Sequence, residues 1–166
     1  MTRPSAETCA DLYTMNFKAI RALCRDLTED EARRRPDGRQ NPALWMVGHV
    51  ATYRFVALAV LGASSPRGAG LEALFGKDVR SDPASWPALA DVLGDLEVLQ
   101  PLHVDRIREL GDAAFEPLVT TPTGSQLPAI LFFHFHESYH LGQLGYLRTW
   151  LGKTPLVKPR AEAPPA

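Results

Sequence analysis

The sequence has little cysteine, almost no net charge and no long uninterrupted apolar run. Only two of its 166 residues are cysteines, and the formal net charge is −1 at pH 7. Without a basic or acidic excess, we expect no nucleic-acid partner and no membrane-surface partner. No apolar run approaches the roughly 20 residues that span a bilayer. The first residues lack the apolar stretch of a signal peptide, so we expect a cytoplasmic protein.

The two cysteines do not indicate a disulfide. Cys9 and Cys24 both lie in the first predicted helix, where their spacing corresponds to about 22 Å along the axis. That separation is far beyond the reach of a disulfide. We therefore expect two buried or inert thiols in a reducing compartment.

Four long helices are predicted from the apolar spacing and from start and stop signals. Their predicted ranges are 5–27, 41–62, 82–110 and 125–152. Asn41 before Pro42, and Asp82 before Pro83, have the order of an N-cap and a first helical residue. Pro101 is expected to kink or split the third helix.

Shorter features complete the predicted fold, which is all-α. Residues 28–31 form a capping-box pattern, which predicts a short helical turn. Residues 63–81 predict a long surface loop with room for one turn at Leu71–Phe75, and no strand is expected because period-two alternation is absent. The architecture is a four-helix bundle with long interhelical loops over residues 1–152, followed by a proline-rich tail at 153–166.

The segment His136-Glu137-Ser138-Tyr139-His140 places two histidines four residues apart in the last helix. This spacing brings both imidazoles to one helix face, where they can bind one cation. His49, in the second helix, completes the set if the two helices are neighbours. Three neutral imidazoles with an open position are typical of a reactive metal centre. The alternative is a hydrogen-bonded core histidine beside an exposed one.

Glu137 has three interpretations: a general base, an anchor for a metal histidine, or an exposed helical acid. Zinc peptidases with this motif take a third ligand from downstream, where Glu162 in the tail is the only Asp, Glu or His. The sequence therefore disfavours a peptidase. His134 is predicted to lie in the core or at its rim, and His103 is predicted to be solvated.

Two segments resemble the signatures of the DinB/YfiT-like proteins, a family distinct from the DNA polymerase that shares the DinB name. They are Asn41–Val50, with the sequence NPALWMVGHV, and residues 136–148, with HESYHLGQLGYLR, followed by Leu151-Gly152. The resemblance covers about residues 5–152. It implies a four-helix bundle with a divalent metal, zinc or nickel. The ligands that it implies are His49, His136 and His140.

The resemblance also implies an activity. Members of the family with assigned activities are mostly thiol S-transferases, which use low-molecular-weight thiols such as bacillithiol, mycothiol or glutathione. The expected function is the transfer of such a thiol, as cosubstrate, to an electrophilic small-molecule substrate. Arg54 and Arg148 are candidate anchors for carboxylates of the cosubstrate. Gln143 and Tyr53 can hydrogen-bond a ligand or orient a metal histidine, and Trp45 can wall the pocket.

Two other functions remain open from the sequence. One is a small hydrolase in which Glu137 acts as general base on a water activated by the metal. The other is a non-catalytic bundle that binds a metal or small ligand, as in a stress protein. In each case we expect a homodimer, since bundles of this size often pair along an exposed helix face.

Overall fold

The computed structural model describes residues 4–38, 40–77, 79 and 81–157. Within these residues the chain forms six helices, four long and two short. They are α1 (Ala6–Cys24), α2 (Glu29–Arg33), α3 (Ala43–Val60), α4 (Leu71–Phe75), α5 (Leu89–Leu110) and α6 (Ala129–Trp150). The predicted all-α class is confirmed. The last nine residues of the predicted tail, 158–166, lie outside the described residues.

The four long helices pack around a common core. Helices α1 and α3 each pack against both α5 and α6, and these four contacts are more extensive than any contact between α1 and α3 themselves. Helix α3 is long and apolar enough to meet the length and composition of a membrane span, but 67% of it is buried inside the fold. Its apolar character is therefore explained by its position as a core helix, which brings His49 to the α6 side of the core.

The helix starts follow local capping chemistry, with one correction. The Ser5 side chain accepts a hydrogen bond from the Thr8 backbone and caps α1, and Thr28 and Glu31 form the predicted capping box of α2. The prediction that Asn41 caps the second long helix is wrong. Pro42 is the N-cap of α3, and its extended backbone delays the helix by one residue.

The third long helix also begins later than predicted. Asp82 caps a 3₁₀ turn at Pro83–Ser85 instead of α5. Pro87 then holds the preceding residue in an extended conformation, so the helix starts only at Leu89. Pro101 does not split the helix, since α5 continues through this proline to Leu110, and the kink expected as the other outcome stays a prediction.

A short hairpin precedes α6, and the prediction that the chain has no strand is wrong. Strands β1 (Leu118–Thr120) and β2 (Gln126–Pro128) pair antiparallel. The turn between them includes Gly124, whose φ of +83° suits glycine. Three residues are too few to show an alternating pattern in the sequence. The hairpin moves the start of the last helix from the predicted residue 125 to Ala129.

The predicted loop at 63–81 is only partly a surface loop. The turn expected at Leu71–Phe75 is present as α4. Leu71 and Phe75 are both buried, and Phe75 has no exposed surface. This helical turn packs against α3. It therefore belongs to the wall of the core next to His49 rather than to a solvated loop.

The beginning of the proline-rich tail lies against the first two helices. The Lys153 ammonium forms an ion pair with Glu31 at 2.9 Å and donates to the Asp26 carbonyl oxygen. The Thr154 carbonyl oxygen accepts a hydrogen bond from Arg148. These contacts hold the chain just after α6 on the surface of the bundle.

Candidate metal centre

Three histidines from two helices meet in the bundle. His49 on α3 lies 3.2 Å from His136 on α6, measured between the two Nε2 atoms. The Nε2 atoms of His136 and His140 are also 3.2 Å apart. The three ligand atoms all lie within 4.8 Å of one another, and they form a group that could hold a metal ion.

The spacing of the nitrogens fits a tetrahedral metal. A zinc ion bonded to nitrogen at about 2.0–2.1 Å separates two tetrahedral ligand nitrogens by roughly 3.3 Å. The two Nε2–Nε2 separations of 3.2 Å agree with this value. Oxygen ligands are absent from the group, and an all-imidazole set suits zinc or nickel better than magnesium or calcium.

Hydrogen bonds at the Nδ1 atoms of His49 and His140 determine which nitrogen of each ring is free to bind a metal. His49 Nδ1 is 2.6 Å from the Phe75 carbonyl oxygen, and His140 Nδ1 is 2.8 Å from Gln143 Oε1. Both oxygens can only accept, so both Nδ1 atoms carry the proton. The Nε2 lone pairs of His49 and His140 are then directed at the third histidine, as in metal-binding histidines held by an outer partner.

A neutral His136 cannot satisfy both neighbours by hydrogen bonding. Its Nε2 carries at most one proton, yet it faces two nitrogens that have none to offer. Its Nδ1 is buried and has no hydrogen-bond partner. A cation between the three Nε2 atoms removes this conflict, because it accepts every lone pair. The proton balance of the cluster thus fits the metal that the spacing suggests.

Burial keeps the cluster neutral. It lowers the pKa of His49 to about 4, although the hydrogen bond to Phe75 opposes the shift. It also lowers the pKa of His136 to about 4, and repulsion from the other two rings adds to the effect. The pKa of His140 is lowered for the same reason. Near neutral pH all three rings are therefore neutral, and each has one nitrogen lone pair able to bind a metal.

A glycine next to the first ligand explains how Phe75 reaches it. A Cβ built on Gly48 would lie 2.5 Å from the Phe75 ring, closer than real carbon contacts. The ring of Phe75 thus occupies the space that a side chain at position 48 would need. This close approach brings the Phe75 carbonyl oxygen to His49 Nδ1. Phe75 could not be predicted as a partner of His49, because no local signal in residues 63–81 links it to the second long helix.

Aromatic side chains enclose the three imidazoles. Trp45, one helical turn before His49, stacks on its ring with centroids 4.4 Å apart. The Tyr53 ring lies 4.7 Å from His49 and 4.6 Å from His136. Trp45 thus covers the His49 ring, and its expected role as a wall of the pocket stays a prediction. Such rings keep the metal-binding nitrogens in a partly dry environment, which matches their low pKa values.

Glu137 does not face the cluster as a free base. It is 4% exposed, and its two carboxylate oxygens accept hydrogen bonds from Arg54, at 2.6 Å from Nη2 and 3.0 Å from Nε. The interpretation as an exposed helical acid is wrong. Burial raises the pKa of Glu137, and the Arg54 guanidinium opposes this shift. The pair is the one ion pair in the described residues whose two side chains are both almost fully buried.

The expected anchor role of Arg54 has little support in this geometry. Arg54 is 1% exposed. Besides Glu137, its guanidinium donates to Gln100 on α5 and to the Tyr13 backbone on α1, and it lies 4.7 Å from the centroid of the Tyr13 ring. It has no exposed face for the carboxylate of a bound thiol.

Arg148, the second expected anchor, is also buried and paired within the protein. Arg148 is 2% exposed; it pairs with Asp26 and donates to the Leu23 carbonyl oxygen at 2.9 Å. It therefore connects α6 to the end of α1.

Gln143 accepts a hydrogen bond from the His140 ring and donates one to the Tyr139 hydroxyl at 3.0 Å. Gln143 thus contacts the His140 ring, and the two roles expected for it, ligand binding and orientation of a metal histidine, stay predictions.

The other two histidines lie outside the cluster, and one prediction about them is wrong. His103, predicted to be solvated, has no exposed surface. It faces the core from α5 and packs edge-on against Tyr13, with centroids 4.5 Å apart. Neither of its ring nitrogens has a hydrogen-bond partner, and burial lowers its pKa well below the usual value. His134 is partly buried and also packs against Tyr13, at 5.3 Å.

The two cysteines are free, buried thiols, as the sequence predicts. Burial raises the pKa of Cys9 and raises that of Cys24 to about 12. Neither belongs to the metal-ligand group. Both are therefore protonated packing residues near neutral pH.

An open cavity of about 680 Å³ lies next to Gln143 and Tyr139, and none of the three clustered histidines lines it. It is linked to the histidines through Gln143 and Tyr139, since Gln143 bonds to His140 and the Tyr139 ring lies 5.2 Å from it. The lining side chains are amides, phenols and apolar groups, without an ionised group among those described. They are Gln40, Asn41, Met46, Tyr139, Gly142, Gln143, Tyr146 and Leu147. The cavity is large enough for a small organic ligand.

The comparison with known proteins identifies the family. No curated protein matches the chain at a significant level. The family model of the DinB superfamily matches residues 12–144, a range that includes all three clustered histidines and about four fifths of the chain. Together with the helical fold, this match shows that the chain belongs to the DinB superfamily.

Proposed function

We propose that this protein is a metal-dependent thiol S-transferase, which joins a low-molecular-weight thiol to a small electrophile. The observation that carries the proposal is the convergence of three neutral imidazoles, one of which is hydrogen-bonded to Gln143 in the lining of an open cavity. His49, His136 and His140 would hold zinc or nickel. When bound, a dication with only neutral ligands supplies a strong acidification of a thiol that reaches it, which provides the nucleophile near neutral pH.

The protein side of this proposal rests on how the cluster is built. The described residues supply three ligand atoms to the group and no fourth, a composition typical of catalytic rather than structural metal sites. Phe75 and Gln143 hold two of the rings in the orientation that metal binding needs. Trp45 and Tyr53 limit the access of water from the α3 side.

The cavity would hold the thiol cosubstrate and the electrophile. Its amides, Gln40, Asn41 and Gln143, can donate and accept hydrogen bonds. Tyr139 and Tyr146 offer ring faces and hydroxyl groups. Cosubstrate binding would therefore depend on hydrogen bonds and aromatic contacts, in place of the two arginine anchors expected from the sequence.

The hydrolase alternative finds no support in this arrangement. It needs Glu137 as a base with a free carboxylate oxygen near the reacting atoms. Both oxygens of Glu137 are instead engaged by Arg54 in the core. We therefore do not propose hydrolysis.

A thiol-transfer assay tests the proposal. Protein loaded with zinc or nickel, and the same protein treated with a chelator, are mixed with an epoxide or aryl halide and each of several cellular thiols. We expect a metal-dependent rate with at least one thiol. The Tyr146→Ala variant should raise KM for that thiol, because Tyr146 lines the cavity. The matched control is Phe135→Ala. Phe135 is an aromatic residue of α6 outside the cavity lining, and its exposed fraction of 67% matches the 66% of Tyr146. The absence of a metal-dependent rate with every thiol would refute the proposal.

A further inference from the structure

The Arg54–Glu137 ion pair lies on the same two helices as the three histidines. Arg54 is five residues after His49 on α3, and Glu137 directly follows His136 on α6. Five residues of helix turn the direction of a side chain by about 140°, and one residue turns it by about 100°. The ion pair and the histidine cluster thus lie on different flanks of one contact between two helices.

Two points of attachment on different flanks fix both the rotation and the sliding of one helix against the other. The seam between these points is tightly packed, with no water-sized space among its lining residues. They are Tyr13, Val50, Tyr53, Arg54, Ala57, Phe133, His136 and Glu137. A change in the angle of α6 at Glu137 would therefore move the His136 ring directly.

The pair also connects these helices to the rest of the bundle. Arg54 donates to Gln100 on α5 and to the Tyr13 backbone oxygen on α1. Gln100 in turn donates to Thr14 on α1 at 3.2 Å. Residues of all four long helices thus meet at one buried guanidinium. Buried charged groups of this kind contribute little to stability, and their best-attested role is to fix the register of packed helices.

We propose that Arg54 and Glu137 are positioning residues for the metal centre. Through Glu137 the pair sets the orientation of α6 at which the nitrogens of His136 and His140 face His49. This inference rests on the metal site of the proposed function, but it does not depend on thiol transfer. The pair touches none of the three ligand nitrogens, so its effect on the metal passes through the helix backbone.

The test removes both charges together, because a single substitution would leave one charge buried without a partner. The double variant Arg54→Met/Glu137→Met keeps side chains of similar length in an apolar seam. The measurements are helix content, the unfolding midpoint without metal, the zinc dissociation constant, and the visible absorption spectrum of Co(II) bound in place of zinc. The Co(II) spectrum reports ligand geometry, which a purely structural role in the core would not alter.

We expect the double variant to fold with a lowered unfolding midpoint, because the buried Gln100 amide oxygen loses its donor. Its zinc affinity should fall about 10-fold or more, the size seen for outer partners of metal ligands, and its Co(II) bands should shift or lose intensity. The matched control is Arg148→Met/Asp26→Met, which removes the other buried arginine of the core. That variant should lose stability and keep the wild-type Co(II) spectrum.

Three results would overturn the proposal. A folded double variant with unchanged zinc affinity and spectrum would show that the pair is only a core contact. If the double variant does not fold, the Glu137→Asp variant is measured instead, since it keeps both charges and shortens the acidic side chain by one methylene. An unchanged Co(II) spectrum of this variant overturns the proposal, and a shifted spectrum supports it. A wild-type protein that binds no Co(II) would overturn the metal centre itself and the positioning role with it.

Discussion

Gly48→Ala is the substitution whose effect on the metal centre follows most directly from the structure. Its Cβ would lie 2.5 Å from the Cγ and Cδ2 atoms of Phe75, whereas carbon atoms in contact are about 3.5–4.0 Å apart. The ring must therefore retreat by roughly 1 Å. Since Phe75 has no exposed surface and also packs on Trp86, its backbone must move with it.

The substitution has two opposing effects on the free energy of unfolding. Overpacking a core contact costs about 1–3 kcal/mol, whereas alanine in place of a helical glycine gains about 0.5–1 kcal/mol. We expect a net loss of about 1–2 kcal/mol in the free energy of unfolding. The Phe75 carbonyl oxygen, now 2.6 Å from His49 Nδ1, would move beyond hydrogen-bonding distance. Zinc affinity should then fall about 10- to 100-fold.

The assay combines chemical denaturation of the metal-free protein with competitive zinc titration. The matched control is Gly145→Ala on α6, where a built Cβ has no neighbour within 4 Å. That control should gain stability, by about 0.5–1 kcal/mol, and keep its zinc affinity. A Gly48→Ala protein that is as stable as the wild type and binds zinc equally well would refute the link from Gly48 through Phe75 to His49.

Three further predictions concern protonation, thiol reactivity and ligand orientation. Metal-free protein should lose stability as the pH falls below 6.5. The unfolded chain then binds a proton at His49, whereas the folded chain, in which burial lowers the His49 pKa to about 4, does not. Between those two pH values this residue alone lowers the free energy of unfolding by about 1.4 kcal/mol per pH unit. Denaturation at pH 7.5 and pH 5.5 measures it, and equal stabilities would contradict it. Cys24, with its pKa near 12, should react with a disulfide reagent only after unfolding; rapid labelling of native protein at this thiol would be inconsistent with its burial. Gln143→Leu should weaken zinc binding about 10-fold by releasing His140 Nδ1, and a titration showing wild-type affinity would count against that role.

The helices and the His136/His140 pair could be predicted because both depend on local spacing, whereas the place of His49 in the set, which requires the two helices to be neighbours, came from the resemblance to the DinB/YfiT-like signatures. The i,i+4 histidine pair and the apolar periodicity of the long helices are visible without tertiary structure. The late start of α5 depends on Pro87, which holds the residue before it extended, and the Asp82-Pro83 pattern instead marks the 3₁₀ turn in front of it. The hairpin was missed because its strands are too short to show a period.

The partners of the histidines could not be predicted in the same way, because they come from distant parts of the chain. Phe75 lies 26 positions after His49, and its approach depends on the packing of α4. The Arg54–Glu137 pair did leave a signal. Arg54 is the only Arg, Lys, Asp or Glu in the apolar helix α3, and Glu137 is the only acidic residue in α6. Two such isolated opposite charges in core helices favour mutual pairing.

Several predictions from the sequence stay predictions. They concern the identity of the metal, the thiol and the electrophile, the absence of nucleic-acid and membrane partners, the cytoplasmic location and the homodimer. For the metal, the thiol and the electrophile, the structure provides the chemistry of the histidine cluster and of the nearby cavity. Sedimentation analysis of the purified protein would establish the oligomeric state.

Metal analysis of protein purified without an affinity tag tests the central claim most directly. We predict about one zinc or nickel ion per chain in the wild type, and its loss in the His49→Ala variant while helix content is kept. His134→Ala, which removes a histidine of α6 outside the cluster, should retain the ion. Full metal retention by His49→Ala, or none in the wild type after zinc is supplied, would contradict a site built by α3 and α6 together.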